Sequence, residues 1–222
     1  MTSITQHTQW ATVAQELEAE NLKLASYDNT LLTLLGTVSG RKILDYGCGP
    51  GVLASALAQG AATISVYDLS PDMRQLAEKK IGTKNVHQTV TSLPNDFDVA
   101  ICNLVLCIVD ENEVRSIAHN LRNSIHPNGR VYIGFCNPKI FNIPESKLDI
   151  REPTGCPYDQ NHKYRKVKKE GGYQIVEDHR PIEWYEKVFA DVGLTLVQKH
   201  FTPEYELKGN RLQDFIIFEL RR

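Results

Sequence analysis

Ile43-Leu44-Asp45-Tyr46-Gly47-Cys48-Gly49-Pro50-Gly51 is the stretch that decides the reading of this chain. Its apolar start reads as a buried strand, Asp45 stands near the strand's end, and three glycines follow at alternate positions. Glycine, lacking a Cβ, lets the backbone turn sharply and lets a ligand lie against the main chain. Asp45, just before the turn, puts a carboxylate beside that ligand. Seventeen residues beyond Gly51 a second run, Ile64-Ser65-Val66-Tyr67-Asp68, ends in another acid. Strand, glycine turn, helix, strand and terminal acid make one βαβ unit of the kind that binds an adenosine-containing cofactor, the second acid gripping the ribose hydroxyls.

The same rhythm continues outward. Residues 9–35 read as a helix that is polar at first and apolar later, with Gly36 as its stop. Strand one covers 41–46, a helix 51–60 and strand two 63–67. Ser70-Pro71-Asp72 starts the next helix, with Ser70 as cap and Pro71 at the first position. Strand three is expected over 86–90 and strand four over 97–106, the latter nearly all apolar as a parallel strand covered on both faces should be. A helix over 111–125 runs into Pro127-Asn128-Gly129, read as a turn before strand five at 130–135. Residues 137–180 then break the pattern: they are polar and hold four of the ten prolines. Within them 164–169 and 173–176 read as a hairpin turning on Gly171-Gly172. A helix over 182–192 and strands over 194–200 and 214–220 complete the chain. Strands alternating with helices imply an α/β fold with a mostly parallel sheet covered on both faces. The expected organisation is therefore one domain over 1–222, with an N-terminal helical segment (1–39) and an insertion at 137–180 that serves as a lid for a second ligand.

At 222 residues the chain is long enough to bury a sizeable core. A net charge of -2 gives no global reason to expect nucleic acid or an anionic membrane as partner. The first residues show no basic segment followed by an apolar one, so no signal peptide is visible. No stretch approaches the roughly 18 consecutive apolar residues of a membrane span. The five cysteines are odd in number and lack a metal-ligand spacing, and Cys102, Cys107 and Cys136 fall in apolar runs that suit buried, reduced thiols. These features lead us to expect a cytoplasmic domain of enzyme size, and, with no Asp/Glu/His constellation beside the cysteines, no metal.

With these motifs in place, residues 40–220 resemble the class I S-adenosylmethionine-dependent methyltransferases. Ile43 to Gly51 is similar to their first motif, and Val66-Tyr67-Asp68-Leu69-Ser70-Pro71-Asp72-Met73 to the strand-two acid with its Ser-Pro. Leu93-Pro94 with Phe97-Asp98-Val99-Ala100 resembles the approach to strand four, and Pro127-Asn128-Gly129-Arg130 takes the place of the turn before strand five. The resemblance implies a Rossmann-like seven-stranded sheet whose last strand is antiparallel and lies between strands five and six. It implies S-adenosylmethionine as cofactor, with Gly47, Gly49 and Gly51 lining the methionine part. Asp45 would hold the ammonium, directly or through water. Asp68 would accept the ribose hydroxyls, and Leu69 would pack on the adenine. Thr89 and Val90 fall where the family commonly has an acid for the adenine amino group, with Thr89 in its place. Asn103 would face the meeting point of methyl donor and acceptor, and Tyr27 would cover the cofactor. A nicotinamide dinucleotide fits less well. Its fingerprint is Gly-x-Gly-x-x-Gly where this chain has Gly-x-Gly-x-Gly, and Asp45 would repel a pyrophosphate.

The acceptor is read less directly. Methyl transfer from a sulfonium needs alignment above all, so the family has no universal catalytic residue. His179, in His179-Arg180-Pro181-Ile182-Glu183-Trp184-Tyr185, is a candidate general base, since imidazole titrates near neutral pH; it also reads as a capping or surface histidine. Asn103 and Tyr173 are the other catalytic candidates, and Tyr173, Trp184 and Tyr185 could form an aromatic wall. Asn103-Leu104-Val105-Leu106 lacks the Asp/Asn-Pro-Pro-Tyr of many methyltransferases acting on nucleobases or amides. The basic run Lys163, Arg165, Lys166, Lys168 and Lys169 reads first as a solvated hairpin face, and alternatively as a grip on a tRNA backbone. The expectation is a methyltransferase for a small-molecule acceptor. The alternatives are an RNA methyltransferase that uses 163–169, or a non-catalytic partner that retains the fold.

Overall fold

A computed structural model describes residues 26–169 and 174–222. Residues 9–25 of the helix expected over 9–35, the Gly171-Gly172 turn and Tyr173 lie outside them. In chain order the helices are α1 Ser26–Leu35, α2 Val52–Gln59, α3 Pro71–Ile81, α4 Glu111–Ser124 and α5 Ile182–Asp191. The strands are β1 Lys42–Tyr46, β2 Thr63–Tyr67, β3 Val86–His87, β4 Phe97–Asn103, β5 Ile125–Cys136, β6 Asp149–Glu152, β7 His162–Lys168, β8 Gln174–His179, β9 Thr195–Phe201, β10 Tyr205–Leu207, β11 Asn210–Leu212 and β12 Phe215–Arg221. The main sheet has seven strands in the order β3-β2-β1-β4-β5-β12-β9. β1 pairs in parallel with β2 and β4, β2 pairs in parallel with β3, and β12 runs antiparallel to β9. This is the expected Rossmann-like topology with its reversed last strand. The chain forms two compact units, one of residues up to 102 with 123–130, the other of 103–122 with 131–222. Among the described residues no helix is long and apolar enough to cross a membrane.

In the first unit, Ile43 and Leu44 of β1 are fully buried, as are Ala100, Ile101 and Cys102 of β4, which explains the unbroken apolar runs. The start of α3 follows its sequence signals. The Ser70 hydroxyl accepts from Met73 N at 3.3 Å, Pro71 takes the first turn, and Lys79 and Lys80 lie in the last turn, where they complement the helix dipole. β3 is shorter than expected: a 3-10 turn at Val90–Ser92 replaces its end, tied by Ser92 Oγ donating to Thr89 O at 2.7 Å. Pro127-Asn128-Gly129 falls within the β5 span, yet it turns the chain as expected: the Cβ position at 129 lies 3.0 Å from His126 O, which an extended strand rising about 3.3 Å per residue does not allow. His126 accepts from Asn128 N and pairs with Asp98, both at 3.0 Å. A side chain at 129 would meet Ile125 Cβ at 2.8 Å, so the glycine there permits close backbone approach.

In the second unit β4 stops at Asn103 rather than Leu106 because Leu104 turns left-handed (φ 58°) and donates its N–H to Gly134 O at 2.7 Å. α5 buries Ile182, Tyr185, Val188 and Phe189. Phe135 packs 4.3 Å from Tyr185 and 5.6 Å from Phe218, forming an aromatic core. The insertion holds a three-stranded sheet, β6-β7-β8, antiparallel throughout, where a two-stranded hairpin was expected. Its alternation is inverted. Asp149, Arg151, Lys166 and Glu177 point inward and are buried, while Ile150 (42%) and Val176 (49%) are exposed. Charged residues survive inside because they are paired. Asp149 takes Arg151 at 3.3 Å and Lys168 at 3.0 Å, and Glu177 takes Lys166 at 2.5 Å.

Candidate active site

The first unit assembles the glycine loop as the spacing implied. Gly47 N and Cys48 N both donate to Tyr67 O, at 2.7 and 3.1 Å, which pins the loop to the end of β2. Gly47, Gly49 and Gly51 have φ of 78°, 52° and 77°, a left-handed run that only glycine follows without strain. They divide the work. At Gly49 a side chain would meet nothing within 4 Å among the described residues, so they leave open space over the loop. At Gly51 a Cβ would sit 3.1 Å from Cα and Cβ of Ala77, so this glycine brings α2 against α3. Gly51→Ala is therefore expected to destabilise the fold by about 1–2 kcal/mol from the backbone alone. In a chain of this size that lowers Tm by roughly 2–8 °C, measurable in a thermal melt.

Asp68 follows β2, and its carboxylate organises the loop. Oδ2 accepts from Gly49 N at 2.9 Å and Oδ1 from Ser70 N at 2.8 Å. Arg74 donates to the carbonyls of Asp68 and Leu69 at 2.7 and 3.0 Å, fixing the segment from the other side. Burial raises the Asp68 carboxyl, against the two N–H donors and Arg74. Leu69 leaves 56% of its surface exposed, an apolar platform next to the acid. Thr89 is exposed and its hydroxyl pairs with Thr91 at 3.1 Å, while Val90 opens the following 3-10 turn.

Asp45 is the most strained electrostatically. It is 2% exposed and its Oδ2 has no hydrogen-bond partner among the described residues. Burial, then the like charges of Asp28 and Asp68, push its carboxyl up to about 7. Asp28, buried in the first turn of α1, had no sequence motif to mark it; Tyr27 beside it is half-buried. The unit thus gathers Asp28, Asp45 and Asp68 around an open glycine loop. Such a site attracts a cation and repels a phosphate.

In the second unit, Asn103 ends β4 with its amide over Gly134: a Cβ at 134 would lie 2.3 Å from Asn103 Oδ1. Gly134 was not singled out in the sequence, although a lone glycine in an apolar strand marks a close approach. His179 is neither a cap nor a surface residue. It is 3% exposed, stacks on Phe141 with ring centres 3.7 Å apart, and binds Tyr158 O through Nε2 at 2.8 Å. Burial lowers its pKa to about 4, leaving the ring neutral at physiological pH. Arg180 donates to Leu106 O at 3.0 Å and Val109 O at 2.7 Å, clamping the loop that follows β4. Tyr185 is core; Trp184 is half-buried under Arg180, 5.1 Å from its ring centre.

The basic run is a different object from the solvated face expected. Lys163 pairs with Asp178, Arg165 with Glu152, Lys166 with Glu177, Lys168 with Asp149 and Lys169 with Glu145. The strand's two-residue period turns Lys166 into the interior. Cysteine spacing had suggested no cluster, yet Cys107, Cys136 and Glu177 place ligand atoms within 4.8 Å of one another.

Residues 44–133 match the family described as a methyltransferase domain. Among curated proteins, a mitochondrial ubiquinone biosynthesis O-methyltransferase of Schizosaccharomyces pombe is 33% identical over 105 residues, 43% of this chain and 38% of the relative. A demethylmenaquinone methyltransferase of Tropheryma whipplei is 26% identical over 151 residues, 63% of this chain and 62% of the relative. The chain thus spans less than two thirds of the length of these relatives. Among solved structures, an S-adenosylmethionine-dependent methyltransferase of Mesorhizobium loti superposes with a TM-score of 0.65 at 18% identity, covering 89% of this chain and 98% of that one.

Proposed function

We propose that this chain, which carries a methyltransferase domain within a class I methyltransferase fold, transfers a methyl group from S-adenosylmethionine to a small-molecule acceptor. The observation that carries the reading is the buried Asp45 carboxylate, with an unpartnered oxygen, in a field made negative by Asp28 and Asp68. A ligand bearing an ammonium and a sulfonium offsets that charge; a dinucleotide pyrophosphate would add to it. The residues fit the cofactor in other respects too. Asp68 spends one lone pair of each oxygen on the loop and keeps others for ribose hydroxyls. Leu69 offers the adenine an apolar face, Gly47 and Gly49 let the methionine part lie against the backbone, and Tyr27, Thr89 and Val90 are assigned to its borders.

When bound, S-adenosylmethionine supplies an activated methyl group, with S-adenosylhomocysteine as the product. The protein then has to hold the acceptor in line and exclude water, and orientation of this kind is worth roughly 7–11 kcal/mol. We assign acceptor recognition to the second unit, with the 137–180 insertion as its main determinant. Asn103 is the residue nearest the chemistry in this proposal. His179, neutral and hydrogen-bonded, is better suited to shaping the acceptor site than to removing a proton. Tyr173 stays a candidate outside the described residues. Gly134→Ala should displace the Asn103 amide and reduce turnover at least tenfold while leaving S-adenosylmethionine affinity within twofold; steady-state kinetics beside a binding isotherm would check this.

The pairing of Lys163, Arg165, Lys166, Lys168 and Lys169 each with an acid supports a small molecule over RNA, since a phosphate backbone would have to displace those acids. The test is release of S-adenosylhomocysteine in the presence of an acceptor panel. Quinones and their precursors come first, after the ubiquinone and demethylmenaquinone in the relatives' names, with total tRNA as the other arm. Turnover with a small molecule and none with tRNA supports the reading, and the reverse overturns it.

A further inference from the structure

The inward face of β7 and β8 carries a reactive cluster that methyl transfer does not use. Lys166 Nζ lies 2.7 Å from Cys136 Sγ and 2.5 Å from Glu177 Oε1, and Tyr164 hydrogen-bonds the other Glu177 oxygen. Cys107 lies against the same sulfur, and all five side chains are buried. A nitrogen–sulfur separation of 2.7 Å has the length of an N–H···O bond, about 2.7–3.2 Å. Sulfur is the larger atom, and its hydrogen bonds are longer. The separation is far too long for a direct S–N bond, but it suits two single bonds that meet at a shared oxygen. We propose that Cys136 and Lys166 form a modification site, joined through oxygen as an N–O–S bridge when the protein meets molecular oxygen.

The step balances. A thiolate, an ammonium and one O2 give S–O–NH and one water. Sulfur and nitrogen each lose two electrons, O2 takes all four, and two protons from the ammonium leave in the water. The surroundings favour the reacting forms. The hydrogen bond with Cys107, then Lys166 and Lys168, hold the Cys136 thiol below its ordinary range against burial and Glu177. The thiolate is the form that oxidises. The carboxylates of Glu177 and Asp149, the latter 3.8 Å from Nζ, keep the lysine beside it. A metal ion on Cys107, Cys136 and Glu177 would have to displace that ammonium from between two of its ligands.

Mass spectrometry of the full chain, purified aerobically without reductant, tests the site. The expected result is a gain of one oxygen with loss of two hydrogens, reversed by excess thiol reductant. Tandem spectra should show the Cys136 and Lys166 peptides joined. High mass resolution and thiol reversal separate this from self-methylation, which adds one carbon and two hydrogens. Cys136→Ser and Lys166→Arg should both lack the shift. In the wild type the bridge closes a 30-residue loop, so the oxidised form should melt above the reduced one. An unshifted wild-type mass, with all five cysteines alkylated once unfolded, would overturn the proposal. So would loss of two hydrogens alone that persists in Lys166→Arg, which marks a Cys107–Cys136 disulfide, or a bound metal released by chelator.

Discussion

Asp68→Ala should weaken S-adenosylmethionine binding by about 1.5–3 kcal/mol, the worth of charge-assisted hydrogen bonds, or roughly 10- to 150-fold in Kd. The loss has two sources. The carboxylate is assigned to the ribose hydroxyls, and it also accepts from Gly49 N and Ser70 N, one on the glycine loop and one at the cap of α3. Removing it leaves both N–H groups without their acceptor and frees the loop that the ligand lies on. Asp68→Asn retains one acceptor oxygen and should lie between Ala and wild type. The effect on binding should exceed that on the melting temperature at saturating ligand. Calorimetric titration of the variants decides it, and unchanged affinity in Asp68→Ala would remove the ribose assignment.

Asp45→Asn should raise the stability of the ligand-free protein above pH 7 while weakening cofactor binding. The sign follows from the carboxyl being raised in the folded state, from 3.8 to about 7. Between these values the folded protein holds a proton that the unfolded chain has released, so stability falls as pH rises from about 4 to 7 and levels off beyond. The cost of the buried charge above pH 7 is on the order of 4 kcal/mol, and Asn avoids it. Thermal melts should therefore place the variant above wild type by a smaller margin at pH 5 and by a larger one at pH 8. Binding should run the other way. Wild-type affinity climbs as Asp45 ionises near pH 7 and declines as the ligand's amino group loses its proton near pH 8. The Asn variant loses the rising limb.

The pieces of the site that the sequence displays are those encoded within one short βαβ stretch. Asp45, the loop glycines, Asp68, and Ser70-Pro71 each carry a local physical signature. Asp28 does not: it is one acid in a helix, and only folding brings its charge to bear on Asp45. The insertion misled because its buried face is charged. Asp149, Arg151, Lys166 and Glu177 read as solvent-facing on any hydrophobic pattern, and β6 has no apolar alternation to announce it. The Pro127-Asn128-Gly129 turn signature holds, and what the sequence does not show is that the β5 span already begins before it, at Ile125. His179 shows the same limit for chemistry. Its residue type suggests a base, and no local pattern shows the burial against Phe141 and the bond to Tyr158 O that go with its lowered basicity.

The central claim is that the acidic, glycine-lined site of the first unit holds S-adenosylmethionine. Calorimetric titration of the purified protein with S-adenosylmethionine and S-adenosylhomocysteine, with NAD as control, tests it most directly. Micromolar binding of both sulfur compounds with none of NAD is the predicted result; binding of NAD, or of neither sulfur compound, would contradict it.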